Sequence, residues 1–178
     1  MNGIKYILVR IVAKLTGKGN DYIVKVFRKD GIKIGNGTHI FSNIITSEPY
    51  LIEIGENTTI STNVSFITHD ASVGAFLGRD YKSDLCGKII IGNNCFVGNN
   101  SILLYGISLP DRTLVASGSV VTKSFAESGC ILGGNPARVI GHVDVFLEKN
   151  NDYFLSLHGK PFAEKKRIIL ESNKLVSR

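Results

Sequence analysis

His69 is the residue of this sequence best placed to do chemistry, because it stands where a repetitive stretch gives way to an irregular loop. An imidazole with an ordinary pKa near 6.5 can accept a proton at neutral pH, so His69 is a candidate general base. Asp70 follows directly and is a candidate to orient that imidazole or to bind a substrate hydroxyl, although adjacent side chains usually diverge. A surface or packing role for His69 is the alternative, and it is the interpretation we adopt for the other three histidines, His39, His142 and His158.

The cysteines do not indicate a metal centre or a nucleophile. Cys86, Cys95 and Cys130 lack metal-ligand spacing, and any disulfide scheme leaves one of them unpaired. Reduced thiols in a cytosolic protein are the simpler interpretation. No His, Cys and carboxylate cluster has zinc spacing, and neither the phosphate-loop motif nor the G-x-S-x-G motif occurs, so the sequence predicts no metal site.

The element that must position His69 is a six-residue repeat. An aliphatic residue returns at every sixth position through the centre of the chain: Ile91, Val97, Leu103, Leu109, Val115 and Val121. Two shorter copies begin at Ile34 and Ile54. A period of six fits neither an α-helix nor a hairpin meander, but it is typical of a parallel β-helix whose coils stack on one continuous core. Asn and Gly in the intervening pairs suit turns with left-handed backbone.

The repeat is interrupted at residues 70–88, which predicts a protruding loop. Insertions in solenoids often lie on the binding face, so this loop is expected to enclose a polar ligand, to cover a neighbouring subunit, or to do both. We divide the chain into residues 1–30, a β-helix over 31–141, and a helical tail over 142–178. Within the first segment, residues 4–15 have helical spacing and Tyr22–Arg28 is predicted to be a strand.

Composition narrows the class of protein. With 178 residues, 43% hydrophobic and 20% charged, the chain suits one globular domain rather than a disordered segment. The net charge of +6 favours anionic partners without choosing among them. The basic run at 165–167 is typical of a solvated helix face, so no nucleic-acid partner is predicted.

The N-terminal helix is expected to pack on the domain or a neighbouring subunit, with membrane contact a minor alternative. No apolar run spans a bilayer and no signal-cleavage site follows the N-terminal segment, which predicts a cytoplasmic location.

Three segments carry a resemblance to a known family: I-I-I-G-N-N-C-F-V-G-N-N-S-I, V-A-S-G-S-V-V-T-K and G-G-N-P-A-R-V-I. Over residues 31–141 the chain resembles the hexapeptide-repeat acyltransferases, in the branch with galactoside, maltose and streptogramin acetyltransferases and surface-polysaccharide O-acetyltransferases. The resemblance implies a mainly β fold, a left-handed parallel β-helix with a protruding loop and short terminal helices. It also implies a homotrimer with active sites between subunits, and acetyl-CoA as the donor.

The resemblance also assigns roles to residues. His69 matches the family's catalytic base, which takes the proton of an acceptor hydroxyl in a direct transfer. The matches to coenzyme A contacts are Asn99, Ser117, Thr122, Lys123 and Arg138, and the two cations among them suit the cofactor's phosphates. The acceptor contacts that the resemblance implies are Asn43 and Glu48, and Asp70 is added to them because of its position beside His69. The sequence departs from the family pattern at Phe96, where tryptophan is frequent, and at residues 105–110, which replace the usual P-G-V-x-I-G coil.

The leading functional hypothesis is an acetyl-CoA-dependent O-acetyltransferase that acts on a sugar in surface polysaccharide biosynthesis. One alternative is acetylation of a xenobiotic hydroxyl, as in a streptogramin antibiotic, and another is N-acetylation of an amino sugar. A third alternative belongs to a different class, a non-catalytic β-helix scaffold or binding protein.

Overall fold

The computed structural model describes residues 3–17, 19–78 and 83–177. The chain forms two compact units, Met1–Val143 and Asp144–Arg178. The helices are α1 (Gly3–Leu15), α2 (Gly19–Lys29), α3 (Val73–Leu77), α4 (Val143–Asn150) and α5 (Phe162–Glu171). The strands are β1 (Lys33–Ile34), β2 (His39–Ile40), β3 (Ile52–Ile54), β4 (Thr59–Ile60), β5 (Ser65–Phe66), β6 (His69–Asp70), β7 (Leu85–Cys86), β8 (Ile89–Ile91), β9 (Phe96–Val97), β10 (Ile102–Leu103), β11 (Ile107–Leu109), β12 (Leu114–Val115), β13 (Val120–Val121), β14 (Cys130–Gly134) and β15 (Ala137–His142).

From β3 to β13, the strands outside the β6–β7 hairpin pass to three different sheets in turn. We call these sheets face 1, with strand order β1-β3-β8-β11, face 2, with order β2-β4-β9-β12-β14-β15, and face 3, with order β5-β10-β13. Every pairing within the faces is parallel except the last, between β14 and β15. The chain therefore winds in coils, and the predicted left-handed parallel β-helix is confirmed.

The core of the β-helix follows the six-residue repeat. All six aliphatic residues from Ile91 to Val121 are at most 2% exposed. Each stacks on its equivalent in the next coil, as Phe66, Leu103 and Val121 do across face 3. Burying one such side chain stabilises a fold by about 1.5–3 kcal/mol, so the stack is the main source of stability. The small polar residues between them are also buried, and their hydroxyls donate to backbone carbonyls, as Ser119 Oγ does to Ala116 O at 2.6 Å.

Left-handed backbone at the corners makes two-residue strands possible. Positive φ angles recur three residues before an inward hydrophobic residue, at Asn57, Asn94 and Arg112 before face 2 and at Asn63 and Asn100 before face 3. At other positions, the close approach of successive coils leaves no space for a side chain. A Cβ on Gly92 would lie 2.7 Å from the backbone nitrogen of Asp111, so only glycine fits there.

The predicted strand at Tyr22–Arg28 is wrong, because these residues lie in helix α2. Ile23, Val24 and Phe27 are buried at helical spacing, and their β-branched and aromatic character suggested a strand from sequence alone. The helix covers the first coil, where the side chain of Asn20 accepts from Ile40 N at 2.8 Å and donates to Thr38 O at 3.0 Å. Tertiary hydrogen bonds thus override local β propensity.

Both ends of the chain are helical, as predicted. Helix α1 packs on α2 through Val9 and Ala13, which are 8% and 2% exposed. In the second unit, α5 carries an ion pair between Arg167 and Glu171, and Lys160 pairs with Glu164. None of the described helices has the length and apolar character needed to cross a bilayer.

Candidate active site

A hairpin leaves the β-helix at the corner that follows face 3. Strand β6 pairs antiparallel with β7, which sets His69 opposite Cys86 and Asp70 opposite Leu85. The chain rejoins the coils at Gly87, whose N–H donates to Thr68 O at 3.1 Å. Helix α3 lies within this insertion, and residues 79–82 lie outside the described part of the chain. The base of the loop is therefore closed, with His69 as its first residue.

Glu48 holds the imidazole of His69. The distance from Glu48 Oε2 to His69 Nδ1 is 2.8 Å. The same oxygen accepts hydrogen bonds from Thr68 Oγ1 at 2.8 Å and from Thr46 Oγ1 at 3.3 Å, and the two threonine hydroxyls also bond to each other. The His69 side chain is 39% exposed and that of Glu48 is 18% exposed, so the pair faces solvent through the histidine.

The contacts of this pair fix its protonation. The hydrogen bond from Thr68 lowers the pKa of Glu48 below its ordinary value, ahead of the contribution of His69. The hydrogen bond and the charge of Glu48 raise the pKa of His69. A carboxylate at Nδ1 selects the tautomer with the proton on that nitrogen, which leaves a lone pair on Nε2. The arrangement can accept a proton at Nε2 and stabilise the imidazolium that results.

Asp70 is held by other groups. Its Oδ1 accepts the N–H of Ser72 at 2.8 Å, and its Oδ2 accepts the hydroxyl of Tyr105 at 3.2 Å. The hydrogen bond from the Ser72 backbone is the main reason that the pKa of Asp70 is lowered. Burial, followed by the bond to Asp70, raises the pKa of Tyr105. Of the two acidic residues beside His69, it is thus Glu48 that orients the imidazole, while Asp70 ties the hairpin to the next coil.

The residues predicted to contact coenzyme A lie at three places in the fold. Asn99 and Ser117 lie in the turns before β10 and β13, whereas Thr122 and Lys123 follow β13. His69 follows β5, so it lies on the same edge of face 3 as Lys123 and two coils away. At a strand spacing of about 4.8 Å, that is about 10 Å along the axis. The last of the set, Arg138, pairs with Gly133 on the final hairpin of face 2.

The side chains of these residues differ in their contacts. Asn99 Oδ1 accepts the N–H of Thr62 at 3.3 Å, so part of its role is structural. Lys123 is exposed with Nζ 5.7 Å from the ring centroid of Phe125, and Arg138 is also exposed. Two cations therefore face solvent and can meet an anionic ligand. The predicted acceptor contact Asn43 has a buried Oδ1 without a hydrogen-bond partner among the described residues.

The contact between Glu48 and His69 was missed by sequence reasoning, which assigned Glu48 to the acceptor. A usable signal was present in the length of the first complete coil. The pairs Lys33↔Glu53 and His39↔Thr59 are each separated by twenty residues. The same separation places Glu48 beside Thr68, and hence next to His69.

The cysteines are free, with Cys86 exposed and Cys95 and Cys130 buried. Burial is the main cause that raises the pKa of the Cys95 thiol, which suits its predicted packing role. No group of three His, Cys, Asp or Glu side chains that could hold a metal ion occurs within residues 3–17, 19–78 and 83–177.

Comparison with known proteins places this chain in a family. The sequence model described as "Hexapeptide repeat of succinyl-transferase" matches residues 88–123. Protein CapG of Staphylococcus aureus is 39% identical over 153 residues, which cover 83% of this chain and 87% of that protein. Galactoside O-acetyltransferase of Escherichia coli K12 is 27% identical over 64% of this chain and 55% of that protein.

A solved structure agrees with the fold. The crystal structure of a hexapeptide-repeat-containing acetyltransferase from Vibrio cholerae, complexed with acetyl coenzyme A, superposes with a TM-score of 0.57. It is 27% identical and covers 64% of this chain and 61% of that chain. The repeat, the three-faced coil and these relatives agree: the chain belongs to the hexapeptide-repeat acyltransferase family.

Proposed function

We propose that this acyltransferase moves the acetyl group of acetyl-CoA to a hydroxyl of a sugar acceptor, in the synthesis of a surface polysaccharide. The observation that carries the proposal is the Glu48–His69 pair at the root of the hairpin, which leaves Nε2 of the imidazole ready to accept a proton. The galactoside named for the E. coli relative supports a sugar as acceptor, and the acetyl coenzyme A in the Vibrio structure supports the donor.

The reaction proceeds by direct transfer. His69 Nε2 takes the proton of the acceptor hydroxyl as its oxygen attacks the thioester carbon. The tetrahedral intermediate collapses, the carbon–sulfur bond breaks, and the coenzyme A thiolate takes the proton from His69. Glu48 stabilises the imidazolium that exists between these two transfers. Because the base returns to its starting state, no acyl-enzyme is needed.

We further propose that the active sites lie between subunits of a homotrimer. One edge of face 3 carries His69, Thr122 and Lys123, and the opposite edge carries Asn99 and Ser117. A cyclic trimer brings one edge of a subunit against the other edge of its neighbour, because its interfaces are heterologous. The donor would then contact the cationic edge of one copy and the turns of the next.

Thiol release from acetyl-CoA across a panel of free and nucleotide-linked sugars tests the chemistry. His69→Ala is expected to lower acceptor-dependent release by about 10²-fold or more, since a positioned base contributes 10²–10⁴. His39→Ala is the matched control, because His39 is exposed in the first coil and should leave the rate unchanged. Release that survives the His69 change contradicts the proposed base.

The same panel separates the alternatives. Stimulation by amino sugars but not by their hydroxyl analogues means N-acetylation, and stimulation only by streptogramin-type alcohols means a xenobiotic acceptor. A chain that fails to bind coenzyme A is a scaffold.

For the trimer, co-expression of His69→Ala with Ser117→Trp subunits should restore about a quarter of the sites if each site uses two copies. Absence of any recovery places the whole site within one subunit.

A further inference from the structure

Helix α1 turns an aliphatic face away from the protein. It buries Val9 and Ala13 against α2, and the opposite side carries large apolar residues that are well exposed: Ile7 (59%), Leu8 (57%), Ile11 (49%), Val12 (38%) and Leu15 (81%). At 100° per residue these five side chains span about 140° of the helix surface. We call them the outer face of α1. A helix that only packed on its own domain would carry polar residues there.

Cations flank the outer face on both sides. Arg10 and Lys14 border it on one side and Lys5 on the other, and α1 contains no acidic residue. Lys5 Nζ also contacts Asp30 Oδ1 at 2.7 Å, which holds this lysine at the border. An apolar sector between two basic borders is the arrangement of a helix that lies in a membrane interface.

The charge of the whole chain is concentrated in the same region. The first 33 residues contain eight Lys and Arg against two Asp and Glu, a net charge of +6, while the rest of the chain contains thirteen of each. The net positive charge of the chain therefore lies in the N-terminal segment that carries the outer face. Beside it, a groove of about 580 Å³ is lined by Ile7, Ile11, Ile23 and Phe41 together with Arg10 and Lys14, and it extends the apolar surface toward α2.

We infer that α1 binds the surface of an anionic lipid bilayer, with the outer face inserted among the acyl chains and the flanking cations on the lipid phosphates. Stable attachment needs an apolar and an electrostatic contribution together, and this segment supplies both. A second copy of the chain is a poorer occupant, because its outer face carries the same positive borders. A nucleic acid would pair with the cations but leave the aliphatic side chains in water.

Tryptophan fluorescence tests this inference directly, because the chain contains no tryptophan. Leu8→Trp places a single reporter on the outer face, and Leu170→Trp, on the exposed side of α5, is the matched control. Vesicles of phosphatidylglycerol and phosphatidylcholine should shift the Leu8→Trp emission to shorter wavelength and leave that of Leu170→Trp in place. Vesicles of phosphatidylcholine alone should produce little shift.

Flotation of the full chain with the same vesicles gives the second measurement. Ile11→Glu should reduce the bound fraction about tenfold or more, whereas Leu170→Glu should not, and 0.5 M salt should weaken binding of the unchanged chain. All the changed positions are exposed, and circular dichroism checks that each variant folds. Absence of binding, or binding that Ile11→Glu does not reduce, overturns the inference. So does a Leu8→Trp emission that shifts with protein concentration alone, which would mean that a second copy covers the face.

Discussion

The interior of the coils and the corner at His69 differ in how the sequence determines the environment of each residue. Inside the coils, a residue's environment follows from its place in the six-residue repeat, and Val97 and Val115 occupy equivalent sites. At the corner, Glu48, Thr68 and His69 come from two different coils, and no other coil in the described part of the chain repeats their arrangement. Regular segments provide a rigid frame, while the breaks between them provide positions at which unique polar groups can meet.

The energetics of the two regions differ in the same way. The aliphatic side chains of the interior are almost wholly buried, so their contacts contribute to the free energy of folding. The corner is polar and partly exposed, so its contacts contribute little to stability but determine the protonation of His69. Substitutions should therefore separate stability from activity.

The largest effect on stability should come from the interior. Leu109 is 1% exposed, and Leu109→Ala should lower the free energy of unfolding by about 2–5 kcal/mol through lost burial and an unfilled cavity. Urea denaturation measures the change. Leu77→Ala removes the same atoms from a side chain that is 59% exposed and should cost under about 0.5 kcal/mol. Equal losses of unfolding free energy in the two variants would contradict the conclusion that the buried interior of the coils provides the stability.

Glu48→Gln should affect activity rather than stability. The substitution weakens the hydrogen bond of Glu48 to His69 and removes its charge, the two largest causes that raise the pKa of His69, so that pKa should fall. The base is active when unprotonated, and the acidic limb of kcat/KM should therefore move to lower pH. The maximal rate should fall on the order of tenfold because the imidazole loses its orienting partner.

A pH profile of kcat/KM measures both changes. Glu53→Gln is the control, since Glu53 also accepts from lysines, Lys33 and Lys88, but on face 1. Its acidic limb should stay where it is in the unchanged enzyme. If the limb of Glu48→Gln also stays, Glu48 does not control the protonation of His69.

The smallest effect should come from a corner that carries no chemistry. Asn94 has a φ of 55°, and Asn94→Ala should cost about 1 kcal/mol because alanine is strained in the left-handed region. Asn94→Gly relieves that strain and should be close to neutral. Comparison of the two urea midpoints isolates the backbone contribution, and identical midpoints would show that φ is not the determinant at this corner.

The coils could be predicted from sequence because their signal is repeated. Six aliphatic residues in one register leave no other periodic structure, and all six are buried as predicted. Helix α2 was missed because Ile23, Val24 and Phe27 favour a strand by local propensity, although their spacing is that of the buried face of a helix. The bonds of Asn20 to the first coil, which the sequence does not show, hold this helix in place. Local propensity fails where tertiary contacts decide the conformation.

The candidate site was predictable in part. The change from repeat to loop identified His69, but the hexapeptide spacing says nothing about which residue of another coil lies beside it. Glu48 became recognisable as its partner only when the coil length and the turn around Thr46 were known. The contacts proposed for coenzyme A stay predictions, because in the proposed trimer they depend on a neighbouring subunit as well as on this chain.

The closed base of the hairpin has an evolutionary consequence. Because Gly87 N donates to Thr68 O and the next coil continues from there, the chain between these two residues does not set the register of the stack. Recombination or drift can lengthen, shorten or replace the part of that segment beyond the β6–β7 pair, which keeps His69, while the coils around it keep their spacing. Changes in this one segment can thus alter which acceptor is bound. Glu48 belongs to the preceding coil, so its position is unaffected by such changes.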